Sequence, residues 1–396
     1  MPSNLMTTIS NCSTEDKPVA DLPVVLHARV VVGSGGGIDK TVVNSHRFLT
    51  NLGYHGICAF MRTPGDPGFE ILEQRAAEAS SPCIAIDDRG LKDISIVRRC
   101  LKVCREQNVT IWHAHDYKSN LLGLILRRFW PMRLVTTVHG WVSAEMRARM
   151  YYAVDRFCLP KYERVICVSE DLFADCRRLG VPQKNVTLIE NAIDTQQYKR
   201  RITASDAKKQ LGIPVNSLVI GAIGRLAREK AFDMLIRSVD QLLRERIDVH
   251  LLIAGEGNQY DELQKLVIDL GREDRIKLTG FVADTSALYQ AMDVFALSSL
   301  REGLPNVVLE AMAFGVPVVA TRIAGLPNII EDGTNGFLIE SGNQEELTFK
   351  TAELLADQSL RFNLGAEARA TIESKYSFQK RMQRITSIYD ELLAED

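Results

Sequence analysis

The chain has 396 residues, 46% apolar and 25% charged, with a formal net charge of −2. That length exceeds what one hydrophobic core usually serves, so two domains are expected. The near-neutral charge gives no reason to expect a nucleic-acid partner, and no window approaches the roughly eighteen consecutive apolar residues of a membrane span.

Residues 1–22 are polar and lack the basic start and apolar run of an export signal, so they read as a disordered leader. Val24–Val30 is a short apolar run, followed by Gly33-Ser34-Gly35-Gly36-Gly37 and a helical pattern to Leu52. Lys40-Thr41 resembles the end of a Walker A motif. Asp39 stands where that motif needs its second glycine and Ser34 where it needs its first, which excludes an ATP-binding loop. Further short buried strands are expected at 57–60, 83–86, 109–114, 134–138 and 165–168, most of them separated by helical stretches. The eight cysteines all fall between Cys12 and Cys176, with no Cys-x-x-Cys pair. Cys100 and Cys104, one helical turn apart, read as core packing, and the thiols as reduced in the cytoplasm. The first half is mildly basic, with clusters at Arg98, Arg99, Lys102, Arg105 and at Arg127, Arg128 that read as solvated helix faces.

A polar connector, Thr195 to Ser217, precedes a second series of strands at 218–222, 249–254, 276–278, 294–297 and 317–320. Phe232 to Arg244 and Tyr260 to Leu270 are amphipathic helical patterns between them. Strands alternating with helices argue for two doubly wound parallel sheets, with ligands at the carboxyl ends of the strands and an active site in the cleft between domains. The expected division is 23–195 and 196–377.

The densest chemical signal is Glu302-Gly303-Leu304-Pro305-Asn306-Val307-Val308-Leu309-Glu310. Pro305 suits a first helical turn. The loop offers backbone N–H groups and a positive helix end, which favour an anion such as a diphosphate. Two carboxylates there can grip the hydroxyls of attached sugars.

Those nine residues are joined by Gly224-Arg225-Leu226 with Lys230, by Leu252-Ile253-Ala254-Gly255-Glu256-Gly257, by Asp293 through Ser299, by Gly315 through Arg322, and by Gly333-Thr334-Asn335-Gly336-Phe337-Leu338-Ile339. In that order the set resembles the retaining glycosyltransferases of family 4, which have the GT-B fold: two Rossmann-like domains facing each other across a cleft. The resemblance is densest from about Val165 to Leu338.

It implies a nucleoside diphosphate sugar as donor, with UDP the favoured nucleotide, and a glycan, glycolipid or small hydroxyl compound as acceptor. Arg225 and Lys230 would clamp the diphosphate, as fixed cations stabilise a departing anion. Glu302, assisted by the backbone at Gly303 and Leu304, would hold the transferred sugar, and Glu310 the ribose. Phe281 and Val282 would meet the base, and Gly36 and Gly37 would let the donor phosphates approach. His139, at a strand end before Gly140, would sit by the sugar, and His115 and Asp116, at another strand end, could touch the acceptor. The sequence has no Asp-x-Asp, so no metal is expected, and the nucleotide sugar is a co-substrate with no further cofactor expected. Trp141 to Leu159, which mixes aromatic, methionine and arginine residues, reads first as core packing plus a solvated face; in some relatives the corresponding region meets lipid-linked acceptors at a membrane. Phe378 to Leu393 suits the last helix that in this fold crosses back onto the first domain. A non-hydrolysing sugar-nucleotide epimerase and a catalytically silent sugar-nucleotide or glycan binder are the alternative functions.

Overall fold

A computed structural model describes residues 22–90, 92–141, 146–302, 305–323 and 325–395, and the side chains of all of these except 146–150. Almost all of the expected leader, and Gly303 and Leu304 of the expected site, lie outside the described residues. The chain divides into two compact units, Met1–His113 with Leu126–Arg133, and Ala114–Ile125 with Leu134–Asp396.

Seven strands form the first sheet: β1 (Val24–Val31), β2 (His55–Arg62), β3 (Cys83–Asp87), β4 (Val109–Ala114), β5 (Arg133–Val138), β6 (Arg164–Cys167) and β7 (Val186–Leu188). Their order is β3-β2-β1-β4-β5-β6-β7. Six strands form the second: β8 (Leu218–Ile223), β9 (Val249–Ala254), β10 (Ile276–Gly280), β11 (Val294–Leu297), β12 (Val318–Thr321) and β13 (Phe337–Ile339). Their order is β10-β9-β8-β11-β12-β13. The neighbouring strands pair in parallel, as in β1 with β2, β5 with β6 and β8 with β11. Parallel strands are covered on both faces, which is why they read as continuous apolar runs. All six residues of β9 are buried. β7 and β13, three residues each, were not expected from the sequence.

Helix Phe232–Arg244 turns Leu235, Ile236, Val239 and Leu242 into the core of the second sheet, where Ile220, Leu251 and Ile253 meet them. Helix Asn306–Ala313 buries six of its eight residues. Pro305 is its N-cap, with extended backbone, one position before the first turn. Cys100 and Cys104 are buried on helix Ser95–Glu106.

The last helix, Phe378–Ala394, docks through hydrogen bonds to the strand end at β7. Arg381 donates from Nη1 to Ile189 O (3.0 Å) and to Glu190 O, and Arg384 donates to Leu188 O (2.6 Å). Ile193 and Ser377 form an isolated parallel bridge, and Arg164 of β6 pairs with Glu395 at 2.8 Å. No helix among the described residues is long and apolar enough to cross a membrane.

Candidate active site

In the second sheet the strand order reverses between β8 and β11, and the carboxyl end of such a switch point is where a doubly wound sheet leaves a crevice. The chain leaving β8, β9 and β10 is stitched together by backbone hydrogen bonds. Gly224 N donates to Ala254 O (2.9 Å), Gly255 N to Gly280 O (2.8 Å) and Leu226 N to Glu256 O (2.8 Å). Gly255 has φ +147°, and a Cβ there would overlap Gly224 O; a Cβ at Gly257 would overlap Leu226 O. The Gly-Glu-Gly sequence is therefore what lets the loop after β9 lie against the loop after β8.

Lys230 ends a 3₁₀ turn, Arg228–Lys230, which leads through Ala231 in the left-handed region (φ +46°) into helix Phe232–Arg244. Lys230 Nζ donates to Glu302 Oε1, and Ser299 Oγ donates to the same oxygen at 2.8 Å. The backbones are joined as well. Ser298 Oγ donates to Lys230 O (2.8 Å) and Leu300 N to Glu229 O (2.7 Å). The turn after β8 and the loop after β11 are thus one assembly, with a cation and a carboxylate at its centre. Arg225 makes an ion pair with Glu229, and its side chain is 72% exposed.

Glu310 is buried on helix Asn306–Ala313, where its Oε2 accepts the Tyr289 hydroxyl at 2.8 Å. Tyr289 is fully buried and its ring stacks on Phe314 with centroids 5.3 Å apart. Burial, followed by the negative charge of Glu310, holds the Tyr289 hydroxyl well above the ordinary tyrosine range, so it is a hydrogen-bond donor at neutral pH. Phe281, following Gly280 (φ +70°) at the end of β10, is half-exposed. Val282 is partly buried and packs against the core of the second sheet, as Ile223 and Val307 also do.

The structure brings His115 and His139 together. Their Nδ1 and Nε2 atoms are 3.2 Å apart, so one ring donates and the other accepts. Gly140, immediately after His139, has φ +120°. Asp116 Oδ1 accepts Lys118 N and Ser119 N, both at 2.9 Å, and so caps helix Tyr117–Leu126. Of Trp141–Leu159, marked in the sequence as one stripe, residues 142–145 lie outside the described residues, and the rest holds helix Met146–Cys158 and the start of a short turn, Leu159–Lys161.

Gly36 is the N-cap of helix Gly37–Asn51. Asp39 Oδ2 accepts Gly36 N at 2.7 Å, and Arg29 donates to Asp39 Oδ1 at 2.5 Å. The positive end of that helix already holds a carboxylate, which is why a glycine-to-aspartate change removes any Walker-type phosphate cradle. The loop before it is braced by Asp66, which accepts Gly33 N (2.7 Å), and by Arg75, which donates to Ser34 O (2.9 Å). Asp39, Glu229, Tyr289 and Ser299 were given no role in the site from the sequence. The first carried a signal in the failed Walker match; the others become visible through their contacts.

Residues 35–197 match the model of Glycosyltransferase Family 4, and residues 204–371 that of Glycosyl transferases group 1. The chain is 32% identical over 316 residues to the capsular polysaccharide biosynthesis glycosyltransferase CapM of Staphylococcus aureus, a match covering 76% of this chain and 82% of that one. It is 27% identical over 308 residues to N-acetyl-alpha-D-glucosaminyl L-malate synthase of Bacillus anthracis, covering 77% and 80%. Among solved structures, Anabaena HepE in complex with UDP and glucose superposes with a TM-score of 0.80 at 23% identity, covering 93% of this chain and all of that one.

Proposed function

The chain belongs to the group 1 glycosyltransferases of family 4 and has their GT-B fold, and from that premise we propose a retaining transfer from a UDP-sugar to a hydroxyl of a glycan or glycolipid acceptor, without a divalent ion. The observation that carries this reading is the Lys230–Glu302 pair at the strand-order switch, a cation and a carboxylate set side by side with their side chains largely buried.

In the proposed reaction the bond from the sugar's anomeric carbon to the diphosphate oxygen breaks, and a bond to the acceptor oxygen forms on the same face. The acceptor's proton passes to the departing phosphate oxygen, so UDP leaves with it. Lys230 and Arg225 stabilise the negative charge that gathers on the diphosphate, the role a metal would otherwise take. Glu302 orients the sugar by accepting its hydroxyls and is not a general base. Glu310, steadied by Tyr289, accepts the ribose hydroxyls, while Phe281 and Val282 meet the base. His139 shapes the sugar pocket. UDP is favoured by the likeness to HepE, crystallised with UDP and glucose, and a polysaccharide acceptor by the likeness to CapM.

A thermal-shift screen with UDP, GDP, ADP and their common sugars, with and without EDTA, tests the donor site. A ligand at about a hundred times its Kd stabilises by roughly 2.7 kcal/mol. The expected result is stabilisation by uridine compounds, unchanged by EDTA and lost in Arg225→Ala. An epimerised sugar nucleotide formed without acceptor, or no response to any nucleotide, overturns the reading.

A further inference from the structure

Asp155 is a buried carboxylate with no part in the reaction described above. Its Oδ1 accepts the side-chain amide of Asn120 at 2.5 Å, and its Oδ2 accepts the indole N–H of Trp141 at 2.9 Å. These two donors come from different segments. Asn120 lies on helix Tyr117–Leu126, five residues after His115, and Trp141 lies two residues after His139. Asp155 therefore bridges the two strand-end segments that carry the paired histidines.

The bridge has a second strut. Tyr151 and Asp155 are four residues apart on one face of helix Met146–Cys158, and Tyr117 and Asn120 are three apart on theirs. Tyr117 and Tyr151 stack with centroids 4.4 Å apart and planes 5° from parallel. The Trp141 ring is also held on its face, with the Arg156 guanidinium 5.0 Å from its centroid. Gly140 turns the backbone between His139 and Trp141 at φ +120°, so the histidine's placement depends on what anchors the chain on the far side of that turn.

An ionised carboxylate is costly to bury, and burial raises the Asp155 pKa from the usual carboxylate range. The geometry shows what it does in return: two acceptor oxygens meet two donors on separate segments. The geometry points to Asp155 as a positioning residue that, through Trp141 and Asn120, fixes the His115–His139 pair in the sugar pocket. This rests on the reading of His139 given above.

The test compares Asp155→Ala with Asp155→Asn in the full chain. An asparagine at 155 can accept from Trp141 and donate to Asn120 Oδ1, which has no hydrogen-bond partner among the described residues, once the Asn120 amide is turned over. The imidazole ¹⁵N resonances of His139 are read in the free protein, and the turnover of UDP-glucose beside them. Asp155→Ala should shift the His139 resonances towards those of a solvated ring and lower kcat by about 10- to 100-fold, the range for a small misplacement, with KM unchanged. Asp155→Asn should restore both. If Asp155→Ala does not fold, Trp141→Phe, which removes one donor, should shift the same resonances. Unshifted His139 resonances in a folded Asp155→Ala or Trp141→Phe protein, or equal impairment by Ala and Asn, overturn the proposal. Absence of turnover of every common UDP-sugar by the unmutated protein counts against the functional reading, and the resonances still decide the positioning role.

Discussion

Lys230 and Glu302 are 72 residues apart in sequence and share an ion pair, with side chains 15% and 13% exposed. Arg225 is likewise paired, with Glu229. Both cations that the proposed function assigns to the diphosphate are therefore paired with carboxylates, and in that reading the nucleotide's phosphates exchange with those carboxylates for the cations.

This exchange separates two variants. Glu302→Gln frees Lys230 from its competing charge, so UDP without a sugar should bind more tightly, by about 1 kcal/mol or fivefold. Transfer by the same variant should fall, because one of the two oxygens that accept the sugar's hydroxyls becomes an NH2 donor and the negative charge is lost. Lys230→Ala should lower kcat by about 10²- to 10³-fold, as for loss of one donor to a developing anion. Calorimetry with UDP and steady-state turnover read the two effects separately, and near-normal turnover by Glu302→Gln would remove that residue from the site.

Tyr289→Phe keeps the ring stack on Phe314 and deletes one hydrogen bond to the buried Glu310. Leaving a buried carboxylate oxygen short of a donor costs about 1–3 kcal/mol. The melting temperature should fall accordingly and UDP affinity should fall with it. A variant that loses stability but binds UDP as before would confine Tyr289 to the core.

Gly255→Ala places a methyl group against Gly224 O at a backbone angle that side chains rarely adopt. Overpacking of this kind costs about 1–3 kcal/mol. Gly271→Ala is the control, since its φ is also positive (+65°) but no atom lies near its added Cβ. Denaturant melts should show the larger loss at Gly255, with UDP affinity reduced there and preserved at Gly271.

Alkaline conditions should destabilise the fold through its thiols. Burial pushes Cys58 and Cys104 up to about 12, and Cys83 and Cys158 up to about 11, from an ordinary 9.0. The folded state holds these protons more tightly than the unfolded one. Stability is therefore intact below about pH 9 and falls as pH rises towards 11–12, by up to about 1.4 kcal/mol per pH unit for each thiol. Urea unfolding at pH 8 and pH 10.5 measures this, and equal midpoints would contradict it.

The two-sheet architecture was legible because parallel strands such as β9 are apolar at every position and helices such as Phe232–Arg244 are amphipathic. β7 and β13 were not, because three residues are too few to show a period. At the candidate site, the residue types and their strand-end placement were readable, and their pairing was not. Nothing local ties Lys230 to Glu302 or Tyr289 to Glu310, since folding creates those contacts across 72 and 21 residues. Asp39 shows the converse. Its mismatch to a phosphate loop was visible in sequence, and the reason, a carboxylate closing its own helix end, is purely local.

The contacts of Arg381 with Ile189 and Glu190 have a consequence for synthesis. These partners are separated by some 190 residues. At about 5–20 residues per second, roughly 10–40 s pass on the ribosome between the making of Ile189 and that of Arg381. Throughout that interval the carbonyls at the end of β7 wait for the arginines of the final helix, so the first sheet gains these partners only after the whole of the second sheet has been made.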